Sequence, residues 1–366
     1  MAVLSPSRRV RRTPFSDGVE AAGVKGYTVY NHMLLPTVFA SVEEDYHHLK
    51  SAVQVWDVAC ERQIELRGPD AARLMQMLTP RDLRGMLPGQ CYYVPIVDET
   101  GGMLNDPVAL KLADDRWWIS IADSDLLFWV KGLAYGYRLD VLVDEPDISP
   151  LAVQGPQAEE LMARVFGDAV RAVRFFRFGW FDFQGTSMAV ARSGYSKQGG
   201  FEIYVGGSAN GMPLWHALME AGRNLDVRAG CPNLIERIEG GLLSYGNDMT
   251  RENTPHEAGL GRFCSTQTAI GCVGRDALLR VAKEGPVQQI RALVIDGELP
   301  RCDRPWAVMA GSKRVGQVTS AAYSPDFECN VAIGMVRMTH WDAGAQVQID
   351  TPDGMRDAVV REGFWI

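Results

Sequence analysis

The sequence predicts an α+β protein of two or three domains whose last segment is a small all-β unit. Three observations lead there. At 366 residues the chain exceeds what one hydrophobic core usually serves. A strand, a Gly-Pro pair and a helix follow one another twice, at Gly68-Pro69 and at Gly155-Pro156. After Glu284-Gly-Pro286 the helix signals give way to short apolar runs spaced by Gly, Pro, Asp and Asn.

Taken in order, Glu43 to Ala52 reads as a helix, with Tyr46 and Leu49 three residues apart. Gln63 to Arg67 alternates as a strand, and Asp70 caps a helix running to Leu78. Gln90 to Val97 and Val108 to Leu112 read as strands on either side of the Gly101-Gly102 turn. Arg116 to Ile121 is a further strand, and Leu126 to Tyr135 a helix. Ile148 starts the second strand–Gly-Pro–helix unit, whose helix spans Gln157 to Phe166. Pro213 opens a helix to Arg223, where its missing N–H costs nothing. Pro232 to Leu243 is expected as a helix with Leu234, Ile235, Ile238 and Leu242 as its buried stripe. Five strands are expected beyond Gly285: 290–295, 306–309, 315–320, 331–336 and 347–349.

Composition narrows the function classes. A net charge of −8 argues against nucleic acid or an anionic membrane as the main partner. No uninterrupted apolar run reaches the length of a membrane-spanning helix. The seven cysteines form no C-x-x-C pair, and their odd number fits reduced thiols in a cytoplasmic protein. Arg8, Arg9, Arg11 and Arg12 make the N-terminus basic, but no apolar stretch follows to complete a secretory signal. These residues are read as an arm of the fold in preference to a transit peptide. The six histidines lack ligand spacing, so no metal is expected. Dinucleotide, P-loop and G-x-S-x-G motifs are absent.

The most informative stretch is Ala191-Arg-Ser-Gly-Tyr-Ser-Lys-Gln-Gly-Gly-Phe-Glu-Ile-Tyr-Val205. It reads as two strands joined by a glycine-rich polar turn. Alternation sends Phe201 and Ile203 to one face, Glu202 and Tyr204 to the other. A carboxylate beside an aromatic ring suits a flat ring ligand that donates hydrogen bonds, such as a pterin. The residues alone also allow an ordinary hairpin with a solvated Glu.

This stretch has company in a fixed order. Gly101-Gly-Met-Leu-Asn-Asp-Pro107 precedes it, and Arg237-Ile-Glu-Gly-Gly-Leu-Leu-Ser-Tyr-Gly-Asn-Asp-Met249, Thr254-Pro-His-Glu-Ala-Gly-Leu260 and Gly274-Arg-Asp-Ala-Leu278 follow. From about Phe39 to Arg361 the chain resembles the glycine-cleavage T-protein superfamily. A narrower resemblance, to the dimethylsulfoniopropionate demethylases, rests on five other segments. These are Arg11-Arg-Thr-Pro-Phe15, Tyr27-Thr-Val-Tyr-Asn-His-Met-Leu-Leu-Pro36, Val55-Trp-Asp57, Ile121-Ala-Asp-Ser-Asp125 and Arg228-Ala-Gly-Cys-Pro-Asn-Leu-Ile-Glu236.

The resemblance implies a three-domain, ring-like fold: residues 1–145 and 146–284 as α+β folate-binding domains, 285–366 as a β-barrel-like domain. It implies tetrahydrofolate as methyl acceptor and a sulfonium as donor, with nitrogen 5 of the pterin attacking the methyl carbon in line. Asp106 matches the family's catalytic aspartate. Glu202 is expected to accept from the pterin's N–H groups, with Tyr204, Trp118, Tyr195 and Arg262 completing the folate contacts. Phe15, Tyr30, Trp180 and Tyr204 are expected around the sulfonium, whose charge an aromatic face attracts by about 0.5–2 kcal/mol. Two family positions differ. Asn233 stands for an arginine and Arg262 for a tryptophan, which disfavours aminomethyl transfer. The family's paired aspartates are Asn105-Asp106 here. An N-demethylase of glycine betaine or dimethylglycine type, or a non-catalytic folate-binding protein, are the alternatives. A homodimer is possible.

Overall fold

The structure is a computed structural model and describes residues 7, 9–265 and 270–366. Arg8 of the expected basic arm lies outside the described residues. The chain divides into two compact units. The first takes the residues up to Leu74, Met86–Tyr93 and Pro107–Asn233; the second takes Met75–Gly85, Val94–Asp106 and Leu234–Ile366.

The first unit holds two larger sheets. Five antiparallel strands run in the order Leu142–Asp144, Gln63–Arg67, Arg116–Ser120, Val108–Ala113 and Cys91–Tyr93. Six strands run Phe178–Phe183, Thr186–Ala191, Gly200–Gly206, Ile148–Gln154, Val53–Asp57 and Val227–Gly230, with only the last pair parallel. The six-stranded sheet buries Phe201, Ile203, Val190, Leu151, Val153 and Val55 on one face. Against that face pack Leu161 and Met162 from the helix Ala158–Phe166, and Leu214 and Leu218 from the helix Gly211–Ala221. The expected alternation of 201–204 therefore holds. Phe201 and Ile203 enter this core, and Glu202 and Tyr204 leave from the opposite face.

Local chemistry explains the ends of these elements. Ser41 caps the helix Val42–Ser51 by accepting from Glu44 N at 3.0 Å. Both strand–Gly-Pro–helix units close alike: Ala71 N donates to Gly68 O and Ala158 N to Gly155 O, each at 3.0 Å. The Tyr27–Pro36 segment forms a hairpin, Gly26–Tyr30 with Met33–Val38, turned by Asn31 and His32 at positive φ. Positive φ at both central residues gives the twist that two-residue hairpins need. The Asn31 side chain then donates to Cys60 O at 2.9 Å and Ala122 O at 3.1 Å, and accepts from Ser124 N at 2.9 Å. Two segments of the narrower resemblance thus meet at one asparagine.

The N-terminal arm belongs to this unit. Arg11 N donates to His32 O at 2.7 Å, and Arg11 pairs with Glu145 at 3.2 Å. Thr13 donates its hydroxyl to the buried Asp57. Burial pushes Asp57 up to about 6, against the pull of Thr13 and Ala59 N. The folded state therefore holds a proton that the unfolded chain releases near pH 3.8. Stability from this group is complete below that pH and is lost as pH rises to about 6. Asp57→Asn is expected to raise thermal stability at pH 7 by roughly 1–3 kcal/mol, and to give no gain near pH 4. Melting curves across that range check it.

The second unit contains the hairpin Ile96–Val97/Met103–Asn105 and the helices Leu234–Glu239 and Arg275–Glu284. It also contains a closed antiparallel barrel in the order Gln288–Ile295, Cys329–Arg337, Lys313–Ser324, Trp306–Ala310, Gln346–Thr351 and Gly354–Val360. Five barrel strands fall where the sequence places them; Gly354–Val360 is additional. Two expectations are corrected. The strand 90–97 breaks into Cys91–Tyr93 and Ile96–Val97, because Pro95 between them has no N–H to pair. The helix 232–243 spans only Leu234–Glu239, since Gly240-Gly241 ends it. Of its expected stripe Ile235 and Ile238 are buried, whereas Leu234 is 39% exposed and Leu242 lies past the helix. No helix among the described residues is long and apolar enough to cross a membrane.

Candidate active site

Strand register assembles the first unit's site from two cross-strand rows. Trp180 pairs with Ala189, and Ala189 with Tyr204; Phe178 pairs with Ala191, and Ala191 with Glu202. All six leave the face opposite the helices, so the two alanines leave a low strip between larger side chains. Trp118, from the five-stranded sheet, closes over this strip. Its ring centroid lies 5.9 Å from Tyr204 and 6.0 Å from Trp180. The Trp118 indole N–H donates to the buried Glu65 at 3.1 Å, and Arg116 pairs with the same carboxylate at 2.7 Å, which fixes the ring.

Glu202 is buried, and Ser193 donates its hydroxyl to it. Burial pushes the Glu202 carboxyl up, while the hydroxyls of Ser193 and Tyr204 act the other way. Tyr204 is pushed well above the usual phenol range, first by burial and then by the charges of Glu202, Cys91 and Glu61. A buried carboxyl with this bias accepts hydrogen bonds most strongly from a ligand that brings its own donors.

The turn before Glu202 is shaped by Gln154. Its amide donates to Ser193 O at 3.2 Å, and its carbonyl accepts from Ser196 Oγ at 2.8 Å. Gly200 adopts φ +151°, and a Cβ there would stand 2.2 Å from Val153 O. Only glycine lets the turn lie this close to the neighbouring strand.

The expected residues separate into two groups. Glu202, Tyr204, Trp118 and Trp180 come together, and Trp180 remains 49% exposed. Tyr195, half-buried, packs beside Leu49, Trp56, Val58 and Ala152, the last of which pairs with Glu202. Tyr30 ends the N-terminal hairpin strand, half-buried. Phe15 is fully buried in the helix-side core with Val19, Leu214 and Trp215, apart from the cluster in which Tyr204 and Trp118 are likewise buried. Ser193, Ser120 and Cys91 were not singled out in the sequence. Only the pairing of Ala191 with Glu202 brings Ser193 to the carboxylate, and Cys91 arrives from a different sheet.

In the second unit, Asp106 is buried and follows the strand Met103–Asn105 directly. The turn beneath it is anchored by Asp98, which accepts from Thr100 N at 2.8 Å, Gly102 N at 3.1 Å and Arg251 Nε at 2.6 Å. Burial would raise Asp98, but the Thr100 hydroxyl and Arg251 hold it below its usual range. A Cβ on Gly102 would meet Arg251 O at 2.3 Å, so the expected Gly-Gly turn is a close approach of two backbones. Tyr245 Oη donates to Met103 O at 2.8 Å, and Met103 N to Asn253 O at 2.9 Å. The downstream motif therefore fixes the strand that ends in Asp106.

Three other positions resolve into local roles. Asn233 donates to Val42 O at 2.8 Å. Arg262 lies over the Phe263 ring at 4.8 Å, with Arg81 over the same ring at 4.9 Å. Arg237 is buried and pairs with Asp248 at 2.8 Å, while donating to Ser320 Oγ at 2.6 Å on a barrel strand.

Comparison with known proteins agrees with this architecture. Residues 15–268 match the family model of the GCVT N-terminal domain, and residues 288–364 match that of the glycine cleavage T-protein C-terminal barrel domain. A dimethylsulfoniopropionate demethylase of Ruegeria pomeroyi is 64% identical over 365 residues, covering 100% of both chains. An aminomethyltransferase of Symbiobacterium thermophilum is 29% identical over 328 residues, covering 86% of each. The crystal structure of glycine cleavage system aminomethyltransferase T from Bartonella henselae superposes with a TM-score of 0.87 at 24% identity, covering 98% of each chain. That likeness carries the fold. The chain belongs to the glycine-cleavage T-protein family, on the branch of the dimethylsulfoniopropionate demethylases.

Proposed function

We propose that this protein demethylates dimethylsulfoniopropionate, passing the methyl group to tetrahydrofolate and leaving 3-methylmercaptopropionate. The full-length 64% identity to a demethylase carries the reading. The chemistry of the residues fits both ligands. Glu202 is a buried acceptor suited to the paired N–H groups of a pterin edge, and the Trp118–Tyr204–Trp180 wall suits a cation that has no N–H. When bound, the folate supplies nitrogen 5 as the nucleophile. The sulfonium departs as a neutral thioether and needs no proton. The protein's contribution is then orientation and exclusion of water, which can lower a barrier by roughly 7–11 kcal/mol.

Within this proposal Glu202 and Tyr204 hold the folate, and Trp118 and Tyr195 flank it. Trp180 and Tyr204 face the methyl donor, with Tyr30 nearby in the chain's demethylase-like signature. Phe15 serves by packing the core beneath the arm, and Arg262 meets a carboxylate of folate or substrate. Asp106 orients nitrogen 5. We also propose the three-domain division 1–145, 146–284 and 285–366 and a cytoplasmic location. The barrel lies wholly within the last segment, and strand Val53–Asp57 of the first enters the sheet of the second.

The direct test is incubation with tetrahydrofolate and each of dimethylsulfoniopropionate, glycine betaine and dimethylglycine, with detection of methylated folate. Product from the sulfonium alone is expected; product only from an N-methyl donor would overturn the reading. Glu202→Gln is expected to keep the fold and weaken tetrahydrofolate binding by about 1.5–3 kcal/mol. The pH dependence has a definite sign. Below its raised pKa the free Glu202 is protonated, and the bound ring favours the ionised form, so binding releases a proton. Folate affinity should therefore rise with pH and level off once the free carboxyl is ionised. Calorimetry in buffers of different ionisation enthalpy reads that proton; in Glu202→Gln it should vanish.

A further inference from the structure

Behind Tyr204 lies a polar cluster that the folate contacts do not use. Ser120 follows Trp118 by two residues on the strand Arg116–Ser120, so both side chains leave the same face toward Tyr204. The Ser120 hydroxyl accepts from Gln63 Nε2 at 2.9 Å and lies 3.5 Å from Glu61 Oε2. Gln63 Nε2 also donates to the backbone carbonyl of Glu61 at 2.7 Å. The Glu61 carbonyl fixes which end of the amide is nitrogen, since a flipped oxygen would face another acceptor there. Gln63 is 1% exposed, and its Oε1 has no hydrogen-bond partner.

Two carboxylates act on the Tyr204 hydroxyl: the charges of Glu202 and Glu61 both push it up, and Glu61 Oε2 lies 3.5 Å from the Ser120 hydroxyl. The Gln63 carbonyl oxygen adds the negative end of a dipole. Aromatic faces backed by such groups attract a cation with no N–H, while a neutral thioether gains little from them. Glu202 is committed to ring N–H groups in the reading above, which leaves the selection of charge to another carboxylate.

We propose that Glu61, held across Ser120 and Gln63, supplies the negative charge by which the Tyr204–Trp118 wall selects a cationic methyl donor over its neutral thioether. The inference rests on the sulfonium reading. Glu61 acts through the field at Tyr204 and is a specificity-determining residue, outside the transfer step itself.

The test compares binding of dimethylsulfoniopropionate and of 3-methylmercaptopropionate, which differ by the charged methyl. Glu61→Gln is expected to weaken the sulfonium about tenfold, leave the thioether within about twofold, and raise KM with kcat nearly unchanged. Glu61→Asp should recover most of the discrimination. Ser120→Ala, a milder change that keeps both carboxylates, should lose about threefold of it. Discrimination unchanged in Glu61→Gln and in Ser120→Ala, but collapsed in Trp118→Leu, overturns the role of Glu61 and leaves the aromatic cation site standing. Discrimination unchanged in all three overturns the sulfonium reading itself, and the inference with it.

Discussion

Asp106→Asn is expected to lower turnover by about tenfold to a thousandfold, with the affinity for the sulfonium much less affected. The substitution keeps the size and hydrogen-bonding shape of the side chain and removes its charge. In aminomethyl transfer a carboxylate has proton work, because the leaving amine needs a proton. In the proposed reaction the leaving thioether is neutral, so Asp106 is expected to act mainly by orienting nitrogen 5 and stabilising its developing positive charge. A loss confined to kcat is the signature of stabilisation realised in the transition state. The competing role is structural, a buried carboxylate at the end of the strand Met103–Asn105. Asparagine fills such a role well, so turnover within about twofold of wild type would remove Asp106 from catalysis. Single-turnover rates at saturating folate make the distinction.

Arg237→Leu is expected to destabilise the protein by about 3–5 kcal/mol. It would strand the Asp248 carboxylate, whose side chain is fully buried, leaving it the Thr319 and Ser320 hydroxyls and Ser244 N as donors among the described residues. The double variant Arg237→Leu/Asp248→Leu should recover part of the loss, since removing both charges removes the uncompensated one. Urea melts of the wild type, the two single variants and the double variant measure the coupling. Arg237→Leu with unchanged stability but lost activity would instead place the arginine among the ligand contacts.

The pair also shows how a motif can be legible while its purpose is not. Arg237-Ile-Glu239 is found readily in the sequence, and nothing in its spacing says that the arginine meets a carboxylate eleven residues on. Glu239 likewise accepts from Ser324, on the same barrel strand as Ser320. Partners separated by more than eighty residues are set by the fold of the barrel, and local periodicity carries no trace of them.

What the sequence determined by itself was the order and type of elements, wherever backbone chemistry is local. Alternation at 201–204, proline near the start of a helix and the glycine-rich turns all act within a few residues. The strand 90–97 and the helix 232–243 read longer in the sequence than they are in the fold, because their apolar content continues across the breakers Pro95 and Gly240-Gly241. The candidate carboxylates Glu202 and Asp106 were also legible, the first from its strand face and the second from its turn. Tertiary structure alone decided which of the expected aromatic residues meet. Trp180, Tyr204 and Trp118 converge because Ala189 pairs with both of the first two and a second sheet supplies the third, whereas Phe15 turns into the core. Cross-strand register brings residues from distant segments within a few ångströms, and burial then sets the proton affinity of Glu202; both depend on neighbours that a single strand's sequence does not contain.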